Sequence, residues 1–237
     1  KRSGKDPAKV IVPKIFPDHP VVRNDILDYY IEIEHFDKMV SRALQSLEKL
    51  GQLDNTIVVV TSDHGMPFPR AKASLHDDGS RVPLAIRWPE GIKASGRVSN
   101  KLVNLSALAP TFLEAAGLIV PDMMTASSII DIFQNKSLVD HSSAFIAMER
   151  HDGCRAGGKG YPCRAIRTKE FLYILNHEPE RWPAGNPDRE FCARYIPFGE
   201  VDSSPTKSLL MENKNKIGFK RFYDLAFAKR PAEELYD

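Results

Sequence analysis

The chain carries one place where residue types and spacing favour chemistry. A β-branched run at 57–60 leads directly into Ser62, Asp63, His64 and Gly65. An apolar run without alternation is typical of a parallel strand covered on both faces, and ligands of such sheets gather at the carboxyl ends of the strands. Asp63 offers the oxygen ligand that a hard cation such as Ca²⁺ prefers, and His64 could complete the metal shell or bond an anion held on it. The alternative is that Asp63 caps a turn and His64 is an ordinary hydrogen-bonded residue.

A longer ordered pattern follows this strand end. Ser-Asp-His-Gly at 62–65 is followed by Lys72, by Gly-Ser-Arg-Val-Pro-Leu at 79–84 and, after an apolar stretch, by Trp-Pro at 88–89. The passage resembles the sulfatase family. That resemblance implies an alkaline-phosphatase-like α/β fold with a sheet flanked by helices, one divalent metal, usually Ca²⁺, and hydrolysis of sulfate esters or sulfamates, here on a sulfated carbohydrate.

The resemblance also implies roles for single residues. It places Asp63 and His64 on the metal, with His64 also counted among the catalytic groups. It makes Lys72 the catalytic cation that holds a sulfate oxygen. A Tyr is common in the family where His76 stands, so the resemblance gives His76 no firm role.

The second part of the chain is similar to the heparan N-sulfatase branch of the same family. The similarity is carried by Met-Glu-Arg-His at 148–151, Tyr-Pro-Cys-Arg-Ala-Ile-Arg-Thr at 161–168, Phe-Leu-Tyr-Ile at 171–174, Arg-Trp-Pro-Ala-Gly at 181–185, and the closing residues 222–237.

Two readings are open for the polar residues of this part. Glu149 and His151 follow a predicted strand and could contact a sugar hydroxyl or amine, or Glu149 and Arg150 could form a surface pair of little energetic consequence. Arg164 and Arg167 are planar donors suited to anions, yet arginines in loops are commonly solvated or paired.

The sulfatase nucleophile motif, Cys/Ser-x-Pro-x-Arg, which the family converts to formylglycine, does not occur in the chain. Ser-Ser-Pro-Thr-Lys at 203–207 comes closest, but it ends in Lys and lies after Asp63, whereas the family's nucleophile lies before the corresponding position. The family also binds its metal through an Asp-Asp pair at the end of an early strand, and the chain has no such strand. One Asp with one His supplies too few oxygens for Ca²⁺. We therefore expect this chain to be the C-terminal part of a longer sulfatase. The N-terminal part of the same enzyme would be its partner and would carry formylglycine, two metal carboxylates and further sulfate-binding groups.

The sequence is compatible with three classes of function. The first is a sulfatase fragment acting on sulfate esters or sulfamates. The second is a phosphohydrolase of the same superfamily, which ligands for a second metal in the remaining part would favour. The third is a non-catalytic binding module.

The spacing of apolar residues predicts a helix followed by a strand, an αβ unit that positions Asp63. A helix over 24–50, with Asn24 as its N-cap and Gly51 as its stop, presents an apolar face from Leu27 to Leu50 and places Glu34 and His35 as surface or half-buried structural residues. Further predicted elements are the strand over 56–61, a strand over 82–88, a helix over 107–116 capped by Ser106, a helical turn within 127–133, and strands over 144–148 and 171–175. With a boundary near residue 140, residues 1–140 form the C-terminal portion of the α/β catalytic domain and 141–237 a smaller antiparallel subdomain.

Composition excludes several classes of partner. The 237 residues are 42% hydrophobic, which is enough for a core, and 33 Lys and Arg balance 31 Asp and Glu. The formal net charge of +2 is too small to draw the whole chain to nucleic acid or to a membrane surface, and only local basic clusters are left as an alternative. No apolar run approaches the ~20 residues of a membrane span, and we expect no signal peptide within the opening residues.

The three cysteines are too few for a disulfide framework or a zinc site. Cys154 and Cys163 bracket a glycine-rich loop that could bring them together, and the alternative is that these two and Cys192 are all free thiols. The residues leave the compartment open, whereas the family resemblance implies a periplasmic or secreted protein.

Overall fold

The computed structural model describes residues 4–94, 96–136, 138–192 and 195–237, and it combines helices with two antiparallel sheets. The helices are Pro20–Lys49 (α1), Asp77–Ser80 (α2), Leu108–Ala115 (α3), Ile130–Phe133 (α4), Pro205–Glu212 (α5) and Lys220–Phe227 (α6). The strands are Val58–Thr61 (β1), Leu84–Arg87 (β2), Ser143–Met148 (β3), Cys163–Thr168 (β4), Leu172–Asn176 (β5) and Glu233–Tyr236 (β6).

Helix α1 begins earlier than the sequence predicts. His19 is the N-cap, and its Nδ1 accepts a hydrogen bond from Val21 N at 3.2 Å. The prediction of Asn24 as the cap is wrong, because its side chain lies within the helix and donates to Pro20 O. A proline fits the first helical position, where no amide hydrogen is needed. The predicted stop is confirmed at Gly51, whose φ of +66° suits glycine.

The apolar face of α1 is buried over its first two turns. Val22, Ile26 and Leu27 join a core with Phe16 and Phe68. Farther along, the large apolar side chains are more exposed than the predicted core face requires: Tyr30 is 37%, Ile33 45%, Phe36 50% and Met39 48% exposed. The elements that pack against α1 within the described residues, chiefly residues 7–16 and α5, reach only its first half. Glu34 and His35 are exposed, as predicted.

The strand that leads to Asp63 has one partner within the described chain. β1 pairs antiparallel with β2 in the register Val58 to Arg87, and all four of its residues are half-buried. The prediction of a parallel strand covered on both faces is therefore wrong for this pair. An unbroken apolar run indicates burial but does not specify which strand pairs with it or in which direction.

A small helical layer lies beside this sheet. α3 and α4 meet at Thr111, whose hydroxyl donates to Ala107 O at 2.6 Å and accepts from Ile129 N at 3.0 Å. Ile130 and Phe133 complete the apolar contact. The predicted helix is thus present, but the prediction of Ser106 as its cap is wrong, because Ser106 lies within the 3₁₀ turn Leu105–Ala107 and Ala107 is the residue at the N-cap of α3. No helix in the described part of the chain is long and apolar enough to cross a membrane.

The second sheet is antiparallel, as predicted, with strand order β3-β4-β5-β6. Its buried face carries alternate residues, including Cys163, Ala165, Leu172 and Ile174. Leu75, from the Lys72 loop, packs into the same cluster. The sequence predicts β3 and β5 but not β4, β6, α5 or α6. The domain boundary near residue 140 remains a prediction.

Candidate functional site

The loop after β1 is built on close backbone approach. Gly65 N donates to Gly79 O at 2.9 Å, and a Cβ placed on Gly65 would lie only 1.8 Å from Asp78 O. A side chain at position 65 would therefore force the loop away from α2. Ser62 Oγ donates to His64 O at 2.7 Å, which fixes the turn that displays the Asp-His pair.

Asp63 and His64 stand side by side at this turn. The Asp63 side chain is 86% exposed, and its Oδ2 lies 3.8 Å from His64 Nε2. His64 Nδ1 lies 2.7 Å from Gly65 O. Because a carbonyl only accepts, Nδ1 carries the hydrogen, and the neutral ring keeps its lone pair on Nε2. A carboxylate oxygen and an imidazole nitrogen are thus available 3.8 Å apart on this loop, and both are atoms that can bind a cation.

Within the described ranges, no group of three or more His, Cys, Asp or Glu side chains is arranged to hold a metal ion. Ca²⁺ takes six to eight oxygen ligands. Asp63 supplies an oxygen of the kind that Ca²⁺ prefers, whereas His64 supplies a nitrogen, so a Ca²⁺ ion here would need further oxygen ligands from outside this loop.

Lys72 lies in a tightly bent loop. Its neighbours Arg70 and Ala73 both have positive φ, 64° and 55°, which is unusual for residues with a Cβ and is associated with functional loops. The Lys72 side chain is 14% exposed, and its Nζ donates to Asp202 Oδ2 at 2.6 Å. The ammonium is therefore held in a partly dry position by a carboxylate from a distant part of the chain.

His151 is held in the same way by Glu200. Its Nδ1 lies 2.8 Å from Glu200 Oε2, and its side chain is 33% exposed. Since the carboxylate accepts, Nε2 is the nitrogen left for other contacts. Glu200 is 2% exposed, and its second oxygen accepts from buried Arg155 at 2.7 Å. Arg155 also donates to the carbonyls of Trp182 and Pro183.

The predicted companion of His151 behaves differently. Glu149 is 66% exposed at its side chain and forms an ion pair with Arg164. This agrees with the surface-pair reading, although the partner is Arg164, whereas Arg150 donates to Gly158 O. Arg167 is likewise paired, with Asp77 Oδ1 at 2.9 Å. Both arginines proposed as anion donors are thus engaged with carboxylates.

One segment supplies both carboxylates that hold the candidate site. Glu200 and Asp202 are two residues apart, and the segment is fixed from behind by buried Lys207, which donates to Phe198 O and Val201 O at 2.9 and 2.7 Å. Lys72 and Glu200 line one small cavity of about 40 Å³. None of Glu200, Asp202 or Arg155 was predicted from the sequence, because no local pattern marks them.

His76 and Tyr161 also line that cavity. Neither His76 ring nitrogen nor the Tyr161 hydroxyl has a hydrogen-bond partner among the described residues. His76 packs edge-on against Tyr236, and its Nε2 lies 3.8 Å from Glu234 Oε2, beyond hydrogen-bond distance. Burial lowers the pKa of His76, so the ring is neutral at pH 7. Its surroundings make it a packing residue of the loop.

The Ser203 to Lys207 stretch, which came closest to a nucleophile motif, starts a helix. Ser204 is the N-cap of α5, and its hydroxyl accepts from Lys207 N at 3.1 Å. Pro205 occupies the first helical position. The stretch therefore has a structural role, in agreement with its exclusion as the nucleophile.

Solved structures of similar architecture place the chain in the alkaline-phosphatase-like class of α/β folds. A protein solved with its substrate, D-glucosamine-2-N,6-O-disulfate, aligns over 84% of this chain and 41% of its own, with a TM-score of 0.53 and 24% identity. The phosphonate monoester hydrolase of Agrobacterium radiobacter aligns over 67% of this chain and 35% of its own, with a TM-score of 0.54 and 19% identity.

Within that class the family is defined by sequence. Residues 5–118 match the Sulfatase family model, and residues 67–183 match the model described as N-sulphoglucosamine sulphohydrolase, C-terminal. The chain belongs to the sulfatase family, as the Asp63 to Pro89 passage predicted.

Curated relatives agree with this assignment. An ulvan-active sulfatase of Formosa agariphila is 30% identical over 97% of the chain, and the human N-sulphoglucosamine sulphohydrolase is 29% identical over 72% of it. The chain spans 35% of the length of each of these relatives.

Proposed function

We propose that the chain forms the C-terminal share of the active site of a sulfatase that hydrolyses a sulfuric ester or sulfamate on a sulfated sugar. The observation that carries the proposal is the pairing of Lys72 with Asp202 and of His151 with Glu200 from one segment. A cation suited to a sulfate oxygen and an imidazole suited to a sugar are thereby fixed relative to one another. Family membership supports the reaction class, and the names of the relatives support sulfated sugars as substrates.

Lys72 is the group that stabilises charge on the sulfate. An ammonium has three N–H donors, and the contact with Asp202 uses one of them. The others are available to a sulfate oxygen as negative charge moves toward the leaving group. Because the side chain is largely shielded from water and already oriented, little reorganisation opposes this interaction. Asp202 thus acts as a positioning residue for Lys72.

Asp63 and His64 are proposed as two ligands of one Ca²⁺. The exposed Asp63 carboxylate and the free lone pair of His64 Nε2, 3.8 Å apart, support this assignment. When bound, the cation supplies positive charge that neutralises sulfate oxygens and helps to ionise the nucleophile. The interaction of His64 with this cation is the catalytic role proposed for it.

The nucleophile and the other metal ligands are proposed to lie in the rest of a longer enzyme. The chain contains no Cys/Ser-x-Pro-x-Arg motif, and it spans about a third of the length of its relatives. Formylglycine supplies the covalent nucleophile in this family, and covalent catalysis divides one difficult displacement into two easier steps.

His151 and Glu149 are proposed as sugar contacts of different strength. His151 presents Nε2 as an acceptor for a hydroxyl or amine hydrogen, because Glu200 holds the proton on Nδ1. Glu149 is held by Arg164 at the surface and could reach only the outer part of a substrate. We therefore expect His151 to affect substrate affinity more than Glu149.

A phosphohydrolase of the same superfamily is the second candidate, because the fold is shared with a phosphonate monoester hydrolase. Ligands for a second metal in the rest of the enzyme would favour this candidate over a sulfatase. A binding module without catalysis is the third candidate.

One experiment separates the three candidates. The full-length protein that contains this chain is incubated with N-sulfated and 6-O-sulfated glucosamine and with glucosamine 6-phosphate, and the released anion is quantified by ion chromatography. We expect sulfate release from wild type, and release reduced by ~10²-fold in Lys72→Ala. Lys38→Ala, a change on the exposed face of α1, is the control that leaves turnover unchanged. Release of phosphate alone would favour the second candidate, and release of neither anion the third.

We also propose that the full-length protein acts in the periplasm or outside the cell, as the family resemblance suggests. Fractionation of source cells, followed by amino-terminal sequencing of the mature protein, tests this. Recovery in the cytosolic fraction with an uncleaved amino terminus would refute it.

A further inference from the structure

Two cysteine sulfurs meet in the interior of the second part of the chain. Cys192 Sγ lies 3.1 Å from Cys154 Sγ, although the residues are 38 positions apart. Cys154 is fully buried and Cys192 is 2% exposed. Cys163, which the sequence offered as a partner for Cys154, lies in β4 opposite Met148 instead. The spatial neighbour of Cys154 is therefore Cys192.

The backbone around the two sulfurs leaves room for little else. A Cβ placed on Gly199 would lie 2.1 Å from Cys192 Sγ and 2.5 Å from Cys154 Sγ. A Cβ on Gly185 would lie 2.8 Å from Cys154 Cβ, and Asn186 N donates to Cys154 O at 2.8 Å. A side chain at either glycine would therefore collide with a cysteine, so both positions need glycine for the two sulfurs to lie this close.

We propose that Cys154 and Cys192 are a disulfide site. The sulfurs need to approach by only about 1 Å to reach the ~2.05 Å of a disulfide bond. Each thiol loses one proton and one electron, and the electron acceptor is a second disulfide, either a small molecule such as oxidised glutathione or the active-site disulfide of a thiol oxidase. One cysteine thiolate attacks that disulfide to form a mixed disulfide, and the other then displaces the remaining thiol.

The bond would fasten the residues that hold the candidate site. Cys154 is adjacent to Arg155 and three residues beyond His151, while Cys192 lies eight residues before Glu200 in the chain. Arg155 and His151 both contact Glu200. A covalent link between these two segments would restrict the unfolded chain and limit opening of the Glu200 segment.

Burial determines when the bond can form. Burial of the Cys154 thiol, followed by its contact with Cys192 and the nearby Glu200 charge, raises its pKa well above the usual range. Only the thiolate attacks a disulfide, so the folded pair reacts slowly. We expect the bond to form during folding, before the two segments close over the sulfurs.

Tryptic mapping gives a direct test, because the three cysteines lie in three different pentapeptides: His151–Arg155, 160–164 and 190–194. The full-length protein, produced in an oxidising compartment, is denatured in the presence of an alkylating agent and digested without reductant. We expect 151–155 linked to 190–194, two hydrogens lighter than the sum of the free peptides, and 160–164 alkylated. Alkylation of both Cys154 and Cys192, or a link from either to Cys163, would overturn the proposal.

Matched variants test the proposal by stability. Reduction should lower the melting temperature of wild type by roughly 3 °C, the scale expected when a 38-residue loop is opened in a protein about three times the length of this chain. Cys163→Ser, the control, should keep this reductant-dependent shift, and Cys192→Ser should lose it. Gly199→Ala should lower the yield of the linked peptide, because its methyl group occupies the space of the sulfurs. An equal reductant-dependent shift in Cys192→Ser and wild type would assign it to another part of the protein and count against this site.

Discussion

Asp202 lies 130 residues beyond Lys72 in the chain, yet its Oδ2 accepts a hydrogen bond from Lys72 Nζ at 2.6 Å. The Lys72 loop follows β1, whereas Asp202 precedes α5. The contact therefore fixes the Lys72 loop to a segment that also carries Glu200, the partner of His151. Lys72 and His151 depend on the same segment for their positions.

Replacing Lys72 is the first test of this arrangement. In the full-length enzyme, Lys72→Ala should lower kcat by ~10²-fold or more, because a preorganised donor to the sulfate is lost. The melting temperature should change little, since the lost ion pair is partly solvated at Asp202. Lys72→Arg should restore part of the rate, because the charge returns with a different reach and shape. Kinetics with a sulfated sugar and thermal unfolding measure the two effects.

A double-mutant cycle with Asp202 tests whether this carboxylate acts through Lys72. If Asp202 acts through Lys72, Asp202→Asn should slow wild type but have little further effect on Lys72→Ala, so the two changes are strongly non-additive. Additive effects of the two substitutions, or near-normal turnover by folded Lys72→Ala protein, would remove Lys72 from the proposed site.

Glu200 and Glu149 allow the contribution of a buried ion pair to stability to be compared with that of a surface ion pair. Glu200 is buried beside Arg155, so Glu200→Gln leaves an uncompensated buried charge and should lower the free energy of unfolding by about 3 kcal/mol. Glu149→Gln removes an exposed pair and should change it by less than about 1 kcal/mol. Urea unfolding of the two variants measures both values. Equal effects would mean that the Glu200 network contributes no more than the surface pair.

Glu200→Gln should also raise KM for the sugar, because a neutral amide no longer holds the Nδ1 proton of His151 as strongly. His151→Ala should produce a similar rise without the loss of stability. Exposed His35 on α1 is the control, and His35→Ala should leave both quantities unchanged.

Sequence reasoning predicted the features that depend on local patterns. The strand that leads to Asp63 and the end of α1 at Gly51 are each determined by residues close together in the chain. Glu200 and Asp202 carry no such pattern, because their roles come from contacts with residues 49 and 130 positions away. Their recognition required the fold.

The sequence-based prediction also missed the direction of β1 and the start of α5, for different reasons. The direction of β1 depends on its partner β2, which the apolar run of β1 does not specify. The start of α5 carried a usable signal, Ser204 as cap followed by Pro205 at the first helical position, which identifies the stretch as a helix start rather than a nucleophile motif.

Metal dependence is the fourth prediction. The chain alone should bind Ca²⁺ weakly, because Asp63 and His64 provide two of the six or more ligands that the ion needs. The full-length protein should bind it tightly, and Asp63→Asn should weaken that binding by at least ~10-fold. Isothermal titration calorimetry measures all three, with Asp54→Asn, an exposed aspartate in the turn before β1, as control. Tight binding by residues 1–237 alone would show that the missing carboxylates are not required.

Acid sensitivity is the last prediction, and it depends on Glu234 in β6. Burial raises the pKa of this carboxyl, but the neighbouring His76, the Tyr236 hydroxyl and the Asn176 amide outweigh burial and lower the pKa from 4.5 to about 2. A carboxyl with a lower pKa in the folded state contributes stability above pH 4.5 and loses it as the pH falls toward 2. The difference corresponds to roughly 3 kcal/mol at ~1.4 kcal/mol per pH unit.

His76 acts in the same direction at higher pH. Burial lowers the pKa of the folded imidazole below 6.5, so the unfolded chain takes up the proton first and stability falls as the pH drops below 6.5. We therefore expect the free energy of unfolding to decrease in two stages, below pH 6.5 and again below pH 4.5. Urea unfolding at a series of pH values should show the first stage absent in His76→Phe and the second reduced by roughly 2–3 kcal/mol in Glu234→Gln. Glu170→Gln, a change at an exposed glutamate, should retain both stages. If Glu234→Gln and wild type lose stability in parallel between pH 4.5 and 3, the Glu234 carboxyl is not the group that makes the fold sensitive to acid in that range.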